Sequence, residues 1–327
     1  MRRALVTGST GFLGANLVEA LNRHGIPVRA FHRKTSRLDA LEGLEYEEAI
    51  GDVLDIESLM NAMEGCDVVF HVAAVADYWR RGPDWLYKIN VEGTKNVLEA
   101  SIRMRISRVV YTSSVAALGV PKRGTLGNEN SEFNIPPKWF PYGHSKHLAE
   151  KEVQKAILSG LDAVIVNPGV IVGPRDINRI SGSILIQAAR TGIPVYTDGG
   201  TNVIAVQDVA EGEIAAAERG RKGERYILGN ENLTHLEMFL MTCEIAGCKP
   251  PSFKIPGWLL RGLGKLMVAA NVDSRKFLPI DRSQMILSTE YLFFDNTKAR
   301  KELGLPHTPV KEALQETYRW YKTQGVI

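Results

Sequence analysis

The stretch FPYGHSK places a tyrosine and a lysine four residues apart, as Tyr142 and Lys146. Residues at positions i and i+4 share one face of a helix, so both side chains can point into the same cleft. A free tyrosine titrates near ~10, and a neighbouring cation favours the phenolate and lowers that pKa. The pair therefore has the composition of a proton donor with its electrostatic partner. Tyr318 and Lys322 repeat the spacing, so the surrounding sequence must distinguish the two copies.

Hydroxyl side chains follow the apolar run at 108–111. They belong to Thr112, Ser113 and Ser114. A serine hydroxyl at the end of a strand can complete a small donor cluster around a carbonyl oxygen. Ser114 is the predicted member of that cluster, with Ser113 directly before it as the alternative.

A glycine-rich stretch, TGSTGFLG, lies between the first apolar run and the first helical pattern. Glycine allows a tight turn and a close approach of backbone to a pyrophosphate, while the following helix N-terminus supplies N–H groups. Between a first strand and a first helix, this spacing predicts a dinucleotide-binding loop rather than an empty turn. The predicted contacts of the loop are Gly8, Thr10, Gly11, Phe12, Leu13 and Gly14.

The end of the second predicted strand carries cations where NAD-binding sheets usually carry an acid. His32 occupies the predicted acid position, and Arg33, Lys34 and Arg37 follow it. An acid repels a 2′-phosphate, whereas arginine offers it planar, charge-assisted hydrogen bonds. We therefore expect NADP(H), with NAD(H) as the alternative; a solvated basic loop is the other interpretation.

Apolar runs alternate with helical patterns through the first half of the chain, which is typical of a parallel sheet covered on both faces. The predicted strands are 4–8, 28–31, 67–73, 108–114 and 162–168. The predicted helices are 12–25, 55–64, 91–104 and 142–158.

After Pro168 the alternation loosens, although 226–229 is typical of a strand that returns to the sheet and 310–322 of a helix. The fold class is therefore α/β, a Rossmann-type doubly wound parallel sheet with a smaller, discontinuous C-terminal substrate domain. The expected division is a cofactor domain of 1–169 plus about 204–229, and a substrate domain of 170–203 and 230–327.

Composition excludes several classes of protein. The 327 residues are 44% hydrophobic and 24% charged, and 40 basic against 37 acidic residues give a net charge of only +3. The basic residues are scattered, so we expect no nucleic-acid partner. Three unpaired-looking cysteines, the absence of a signal-peptide pattern and the absence of metal-ligand spacing indicate a cytoplasmic protein without a bound metal.

The longest apolar-leaning segment, 258–270, is interrupted by Arg261 and Lys265 and is too short to span a bilayer. We interpret it as an amphipathic helix of the second domain; a membrane-surface helix or a cap over a greasy substrate are the alternatives.

Taken in order, the motifs resemble those of the extended short-chain dehydrogenase/reductases. Within that group the chain is similar to the dihydroflavonol 4-reductase-like proteins, close to bacterial proteins of the hopanoid-associated sugar epimerase type. The motifs that carry the resemblance are TGSTGFLG, GDVLD, HVAA, TSS, YGHSK, NPGVIVGP and IAVQDVAEG.

The resemblance implies a Ser–Tyr–Lys site, with Tyr142 as acid/base, Lys146 as its partner and Ser114 as the residue that orients the carbonyl. It also implies that the members commonly form homodimers through the helices here at 91–104 and 143–158. The further cofactor contacts that it implies, including Thr112 beside the serines, are Asp52, Val53, Ala73, Ala74, Thr112, Pro168, Gly169, Val170 and Ile171.

The same three residues serve both carbonyl reduction and nucleotide-sugar epimerisation. Similar epimerases usually carry an asparagine where this chain has Val170, and an arginine where it has Thr201 or Asn202. Without such groups a substrate pyrophosphate lacks charge-assisted partners, although the arginines at 175, 179 and 190 could replace them. We therefore predict an NADPH-dependent ketone or aldehyde reductase.

The alternatives are an NAD(P)-dependent nucleotide-sugar epimerase or dehydratase, a 3β-hydroxysteroid-type dehydrogenase, and a non-catalytic NADP-binding protein. The predicted substrate is a small carbonyl or alcohol compound. Aromatic residues after HVAA, above all Tyr78 and Trp79 with Trp85 and Tyr87 beyond them, could line its pocket together with Ser114. A packed loop between domains is the other interpretation of these aromatics.

Overall fold

The computed structural model describes residues 1–76, 82–179, 182–270, 272 and 281–327. The strands of the described residues are β1 Ala4–Thr7, β2 Val28–His32, β3 Glu47–Ile50, β4 Val68–His71, β5 Arg108–Thr112, β6 Ala163–Pro168, β7 Val170–Val172, β8 Val195–Thr197, β9 Gly200–Ala205, β10 Arg225–Leu228, β11 Glu231–Thr234, β12 Phe253–Ile255 and β13 Tyr291–Leu292. The α-helices are α1 Phe12–Arg23, α2 Ile56–Met63, α3 Pro83–Tyr87, α4 Thr94–Arg103, α5 Pro141–Leu158, α6 Ser183–Thr191, α7 Val206–Arg219, α8 His235–Ala246, α9 Gly257–Ala269, α10 Arg282–Leu287, α11 Thr297–Leu303 and α12 Val310–Thr323.

Seven parallel strands form the central sheet in the order β10-β6-β5-β4-β1-β2-β3. The order reverses between β1 and β4, which creates a crevice at the carboxyl ends of the strands. Side chains of β1, β4 and β5 alternate between two buried clusters, one shared with α1 and α7 and the other with α2, α4 and α5. The predicted doubly wound parallel sheet is thereby confirmed.

Most predicted elements of the first half are present, with two differences. The edge strand β3 was not predicted, because its sequence EEAI has no buried apolar pattern and gains its structure from pairing with β2. The helix predicted from residue 91 begins earlier, since α3 runs through a π-helical turn at Lys88–Gly93 directly into α4. The strand predicted at 226–229 is β10, which pairs with β6.

The later segments build two smaller sheets beside the central one. Strand β9 pairs antiparallel with β11 and parallel with β7 and β13, while β8 pairs with β12. Helices α6, α8 and α12 cover β9 through a third apolar cluster. At the end of α12, the Tyr321 hydroxyl lies 3.1 Å from the buried carboxylate of Asp176, which follows β7.

Helix α9 confirms the predicted helix at 258–270. Its outer face is apolar and open to solvent, with Trp258 76% and Leu266 65% exposed. Lys265 lies over the Trp139 ring at 4.5 Å, which attaches the helix to the preceding part of the chain. Within the described residues, no helix is both long enough and apolar enough to cross a membrane.

Candidate active site

A cleft of about 700 Å³ lies along the carboxyl ends of β1, β2, β4, β5 and β6. This volume suits a ligand of nucleotide size. The structure brings nearly all the predicted site residues to this one cleft, although their roles remain predictions. The predicted residues that line it are Gly8, Thr10, Gly11, Phe12, Leu13, Gly14, Arg33, Asp52, Val53, Ala73, Ala74, Thr112, Ser114, Tyr142, Lys146, Pro168, Gly169, Val170 and Ile171.

The glycine loop has no room for side chains at its first and third glycines. Gly8 has a φ of +68°, and a Cβ there would lie 2.7 Å from the backbone of Ala73. A Cβ on Gly14 would overlap the carbonyl oxygen of Gly8. Gly11 caps α1 without a side-chain hydrogen bond, which leaves the first N–H groups of α1 without a side-chain cap, and Gly11, Phe12 and Leu13 line the cleft. This cradle fits the pyrophosphate of a dinucleotide.

The end of β2 places one of the predicted cations at the cleft. Arg33 lines the cleft, and Ser36 adds a hydroxyl that was not predicted. Lys34 is exposed and is not among the lining residues, contrary to the predicted contact. Arg37 is paired with Asp39 at 2.9 Å. His32, at the predicted acid position, lines the cleft as well, so His32, Arg33 and Ser36 are the polar residues that this part of the chain places there.

The two serines after β5 have separate environments. Ser113 is buried and donates to the carboxylate of Glu150 at 2.5 Å. Ser114 hydrogen-bonds Tyr142, whose side chain also lines the cleft. The sequence left Ser113 as an alternative, and the geometry favours Ser114 as the partner of Tyr142.

Burial is the largest influence on Tyr142 and raises its pKa above the ordinary value, with the Ser114 hydrogen bond acting in the opposite direction. The sequence predicted a lowered pKa through Lys146, but the largest influence on the pKa is burial and not the lysine. Its Nζ donates to the carbonyl oxygen of Thr112 at 2.8 Å and lies 5.1 Å from the centre of the Tyr111 ring. Tyr142 is therefore held as a neutral phenol that can donate a proton.

Lys146 is itself buried, with 3% of its surface exposed. Burial lowers its pKa to about 8, while the carboxylates of Glu150 and Glu213 oppose that shift. At neutral pH the lysine thus remains charged, close to its titration range.

Two further buried polar residues, His71 and Asn90, have structural roles. His71 is enclosed between the hydroxyls of Thr7, at 2.8 Å, and Thr94, at 3.0 Å, and burial lowers its pKa to about 3. It is therefore a neutral core histidine. Asn90 accepts from the N–H of Val75 at 2.8 Å and donates to Ser145 at 3.0 Å, so it joins the loop after β4 to α5.

The aromatic residues predicted as a substrate wall fall into three groups. Trp85 lines the cleft. The Tyr87 hydroxyl instead bonds His144 Nδ1 at 2.9 Å, against α5. Tyr78 and Trp79 lie outside the described residues.

Sequence reasoning missed several lining residues that come from outside the recognisable motifs. Asn178 follows β7, and Gln284 belongs to α10, where it also completes the N-terminal capping box. The D-x-x-Q pattern at 281–284 could have located this helix start. It could not have placed the helix beside residues more than 100 positions earlier.

Three of the groups considered as phosphate ligands of an epimerase are engaged elsewhere. Asn202 is buried and donates to Asn232 between β9 and β11 at 2.9 Å. Arg175 pairs with Glu19 at 3.0 Å, and Arg190 donates to a backbone carbonyl near the C-terminus at 2.7 Å.

Within the described part of the chain, the cationic residues that line the cleft are Arg33 and Lys146. The described residues also contain no group of three or more His, Cys, Asp or Glu side chains that could hold a metal ion.

A seven-stranded parallel sheet, a glycine loop before α1 and a Ser–Tyr–Lys group at one cleft define an extended short-chain dehydrogenase/reductase. The chain belongs to the NAD dependent epimerase/dehydratase family, which matches it over residues 4–229. It lies in the dihydroflavonol 4-reductase-like group and is an NAD(P)-dependent oxidoreductase.

Individual relatives match over the whole chain. A Synechocystis protein named "Putative dihydroflavonol 4-reductase" is 37% identical, over 98% of this chain and 95% of its own length. The sterol demethylase protein B of Methylococcus capsulatus is 32% identical, over 99% of both chains. The crystal structure of gox2253 superposes with a TM-score of 0.89 at 35% identity and covers 100% of both chains.

Proposed function

We propose that this protein is an NADPH-dependent reductase of ketones or aldehydes. The observation that carries the proposal is the Tyr142 hydroxyl, which is hydrogen-bonded to Ser114 where both residues line the cleft. A protonated phenol suits the reductive direction, in which an alkoxide must receive a proton. The relative named for dihydroflavonol 4-reductase, similar over nearly the full length, supports the same direction.

Each residue of the group has a separate task. A bound nicotinamide nucleotide supplies the hydride. Ser114 and Tyr142 donate hydrogen bonds to the carbonyl oxygen, and Tyr142 then transfers its proton to that oxygen. Lys146 stabilises the phenolate left behind, since its charge lies within one helical turn of Tyr142. Trp85 and Ile89 give the cleft an apolar wall, which fits a largely apolar substrate.

The pair Tyr142→Phe and Tyr318→Phe tests the role of the proton donor. Removal of the Tyr142 hydroxyl should lower kcat by about 10²–10⁴-fold while binding of NADPH is retained. Tyr318 has the same spacing to a lysine, but Lys322 Nζ lies over its ring at 4.9 Å in α12, so Tyr318→Phe should retain activity. Retained activity in Tyr142→Phe would remove this residue from the mechanism.

The reaction itself is tested with a panel of ketones and aldehydes, followed by loss of NADPH absorbance, with nucleotide-sugars assayed in parallel. We expect net NADPH oxidation with apolar carbonyl compounds. Epimer formation without net cofactor oxidation would overturn the proposal.

The preference for NADPH rests on Arg33 and Ser36 at the end of β2. Arg33→Asp should weaken binding of NADPH far more than binding of NADH, because the aspartate repels the 2′-phosphate. Arg37→Asp is the matched control: Arg37 is already paired with Asp39, so its replacement should change both affinities alike. Equal losses in Arg33→Asp would contradict the assigned preference.

A second candidate is the oxidation of a sterol-like alcohol at the same site. It is favoured by the 32% identity to the sterol demethylase protein B over 99% of both chains. NADP⁺ reduction with hydroxysteroids, measured beside the carbonyl panel, separates the two directions.

We also propose that two copies of the chain pair through α4 and α5. The two helices pack side by side on one face of the sheet, and α4 exposes Ile102 to solvent. Sedimentation equilibrium should give twice the chain mass, and Ile102→Lys should shift the equilibrium toward the single chain.

A further inference from the structure

Helix α7 carries a carboxyl group inside the protein that the mechanism above does not use. Glu213 has no exposed surface, although it lies on a helix whose neighbouring buried positions are Val209, Ala210 and Ala216. A carboxyl group in such surroundings costs free energy unless it has a partner or a task. Its two oxygens differ: Oε1 accepts from the Thr112 hydroxyl at 2.6 Å, and Oε2 has no hydrogen-bond partner among the described residues.

Thr112 connects this carboxyl group to the active site. Its hydroxyl bonds Glu213, and its carbonyl oxygen accepts from Lys146 Nζ at 2.8 Å. One residue at the end of β5 therefore holds both the buried acid and the buried lysine. Thr112 also lines the cleft. Because its carbonyl oxygen holds Lys146, a shift of Thr112 would move the lysine relative to Tyr142.

The other buried carboxylate beside Lys146 is already compensated. Glu150 lies one helical turn after Lys146 and forms an ion pair with Arg225 at 2.8 Å. It also accepts hydrogen bonds from Ser113 at 2.5 Å and Asn167 at 2.6 Å. Glu213 is thus the carboxyl group whose charge is not matched by a second cation.

We propose that Glu213 is a positioning residue, which acts through Thr112 on Lys146 and keeps the lysine charged in the alkaline range. The proposal rests on the proposed function, because it matters only if Lys146 supports proton donation by Tyr142. The two groups form one buried couple whose net charge changes with pH.

The direction of the coupling follows from burial. Burial raises the pKa of Glu213 to about 8, and Lys146 opposes that shift. Burial lowers the pKa of Lys146 to about 8, and Glu150 and Glu213 oppose it. Below that range Glu213 is a neutral acid; above it, its negative charge makes release of the lysine proton harder.

The remaining titratable groups on the packed elements do not replace this couple. Tyr111 on β5 is buried, and its pKa lies well above the ordinary value, so it stays neutral. On the outer side of α7, Arg23 and His24 of α1 bind Glu211 at 3.0 and 2.8 Å. Glu211 therefore serves as a surface control on the same helix.

The first test compares the pH profiles of kcat for Glu213→Gln, Glu213→Asp and Glu211→Gln. At pH 6 the amide imitates the neutral acid, so Glu213→Gln should remain within about twofold of the parent. Its alkaline limb should move to lower pH by roughly one unit, since the charge that retains the lysine proton is gone. Glu213→Asp, which keeps a carboxyl group, should show a smaller shift, and Glu211→Gln should show none.

A loss of equal size at every pH would reduce Glu213 to a structural residue, and an unmoved alkaline limb would overturn the proposal.

The second test does not depend on turnover. The pKa of Glu213 is about 8 in the folded protein, against an ordinary 4.5, so the parent loses stability as pH rises between these values. The melting temperature of Glu213→Gln, relative to the parent, should therefore rise from pH 5 to pH 8.

In a Lys146→Met background, the same difference should continue to rise above pH 8, because the cation that lowers the pKa of Glu213 is missing. If the difference instead rises over the same pH range with and without Lys146→Met, the two groups are not coupled. If the parent reduces no carbonyl compound, the proposed function fails while these melting curves still decide whether Glu213 and Lys146 titrate together.

Discussion

At the scale of single residues, the site depends on positions where one atom more or less changes the outcome. Gly8 and Gly14 allow segments of backbone to pack together at a distance that leaves no room for a Cβ atom. Ser113 and Ser114 are adjacent and chemically alike, yet one binds the buried Glu150 and the other the cleft residue Tyr142. The role of each serine therefore depends on which partner its position after β5 allows it to reach.

Gly14→Ala tests the glycine loop. The added methyl group overlaps the Gly8 carbonyl oxygen, so we expect a loss of about 1–3 kcal/mol of stability and weakened NADPH binding. Gly262→Ala is the control, because a Cβ there meets no atom within 4 Å in the middle of α9. That change should stabilise the protein by about 0.5–1 kcal/mol. Thermal melting with and without NADPH measures both effects; an unaffected Gly14→Ala would contradict the crowding.

At the scale of elements, β10 is connected to helix α5 as well as to its neighbour in the sheet, β6. Arg225 of β10 reaches Glu150 at 2.8 Å, and Glu150 in turn binds Ser113 and Asn167. A buried carboxylate thus connects a late strand, a long helix and the strand end beside the cleft. The network explains how a strand distant in sequence supports the active site.

Arg225→Met should destabilise the protein by about 3 kcal/mol or more, because it removes the ion-pair partner of the buried Glu150 carboxylate. Arg221→Met is the control: its ion pair with Glu302 is on the surface, and the melting temperature should change far less. Urea unfolding at pH 7 measures both. Equal effects would show that the buried pair contributes no more than a surface pair.

The sequence predicted the strands and helices of the first half because apolar runs and turn residues recur with clear periods. It missed β3, where Glu47 and Glu48 conceal an edge strand. It missed Gln284 and Glu213 for a different reason. Their positions depend on contacts between distant segments, and a glutamate in AEGEIAA suits an exposed helix face equally well. Spacing also does not reveal burial, which is the largest influence on the pKa of Tyr142 and raises it.

At the scale of the whole molecule, the residues that line the cleft come from parts of the sequence that are far apart. The first half of the chain supplies the glycine loop before α1 and Tyr142 on α5, whereas Asn178 and Gln284 come from the later segments. Tyr321 of the final helix holds Asp176 between these parts. A ligand in the cleft therefore contacts both the sheet and the added segments.

Such a ligand should stabilise the entire chain. At a concentration of 100 times Kd, NADPH should add about 2.7 kcal/mol to the free energy of unfolding, seen as a rise in melting temperature. NADH at the same concentration should give a smaller rise. Equal shifts would contradict the preference assigned to Arg33.

The position of β10 also matters while the protein is being made. β6 ends at Pro168, but its outer neighbour begins only at Arg225. At roughly 5–20 residues per second, the ribosome leaves the apolar edge of β6 without its neighbour for several seconds. Codon choice between these positions therefore sets how long nascent chains can associate through that edge, and with it the yield of folded enzyme.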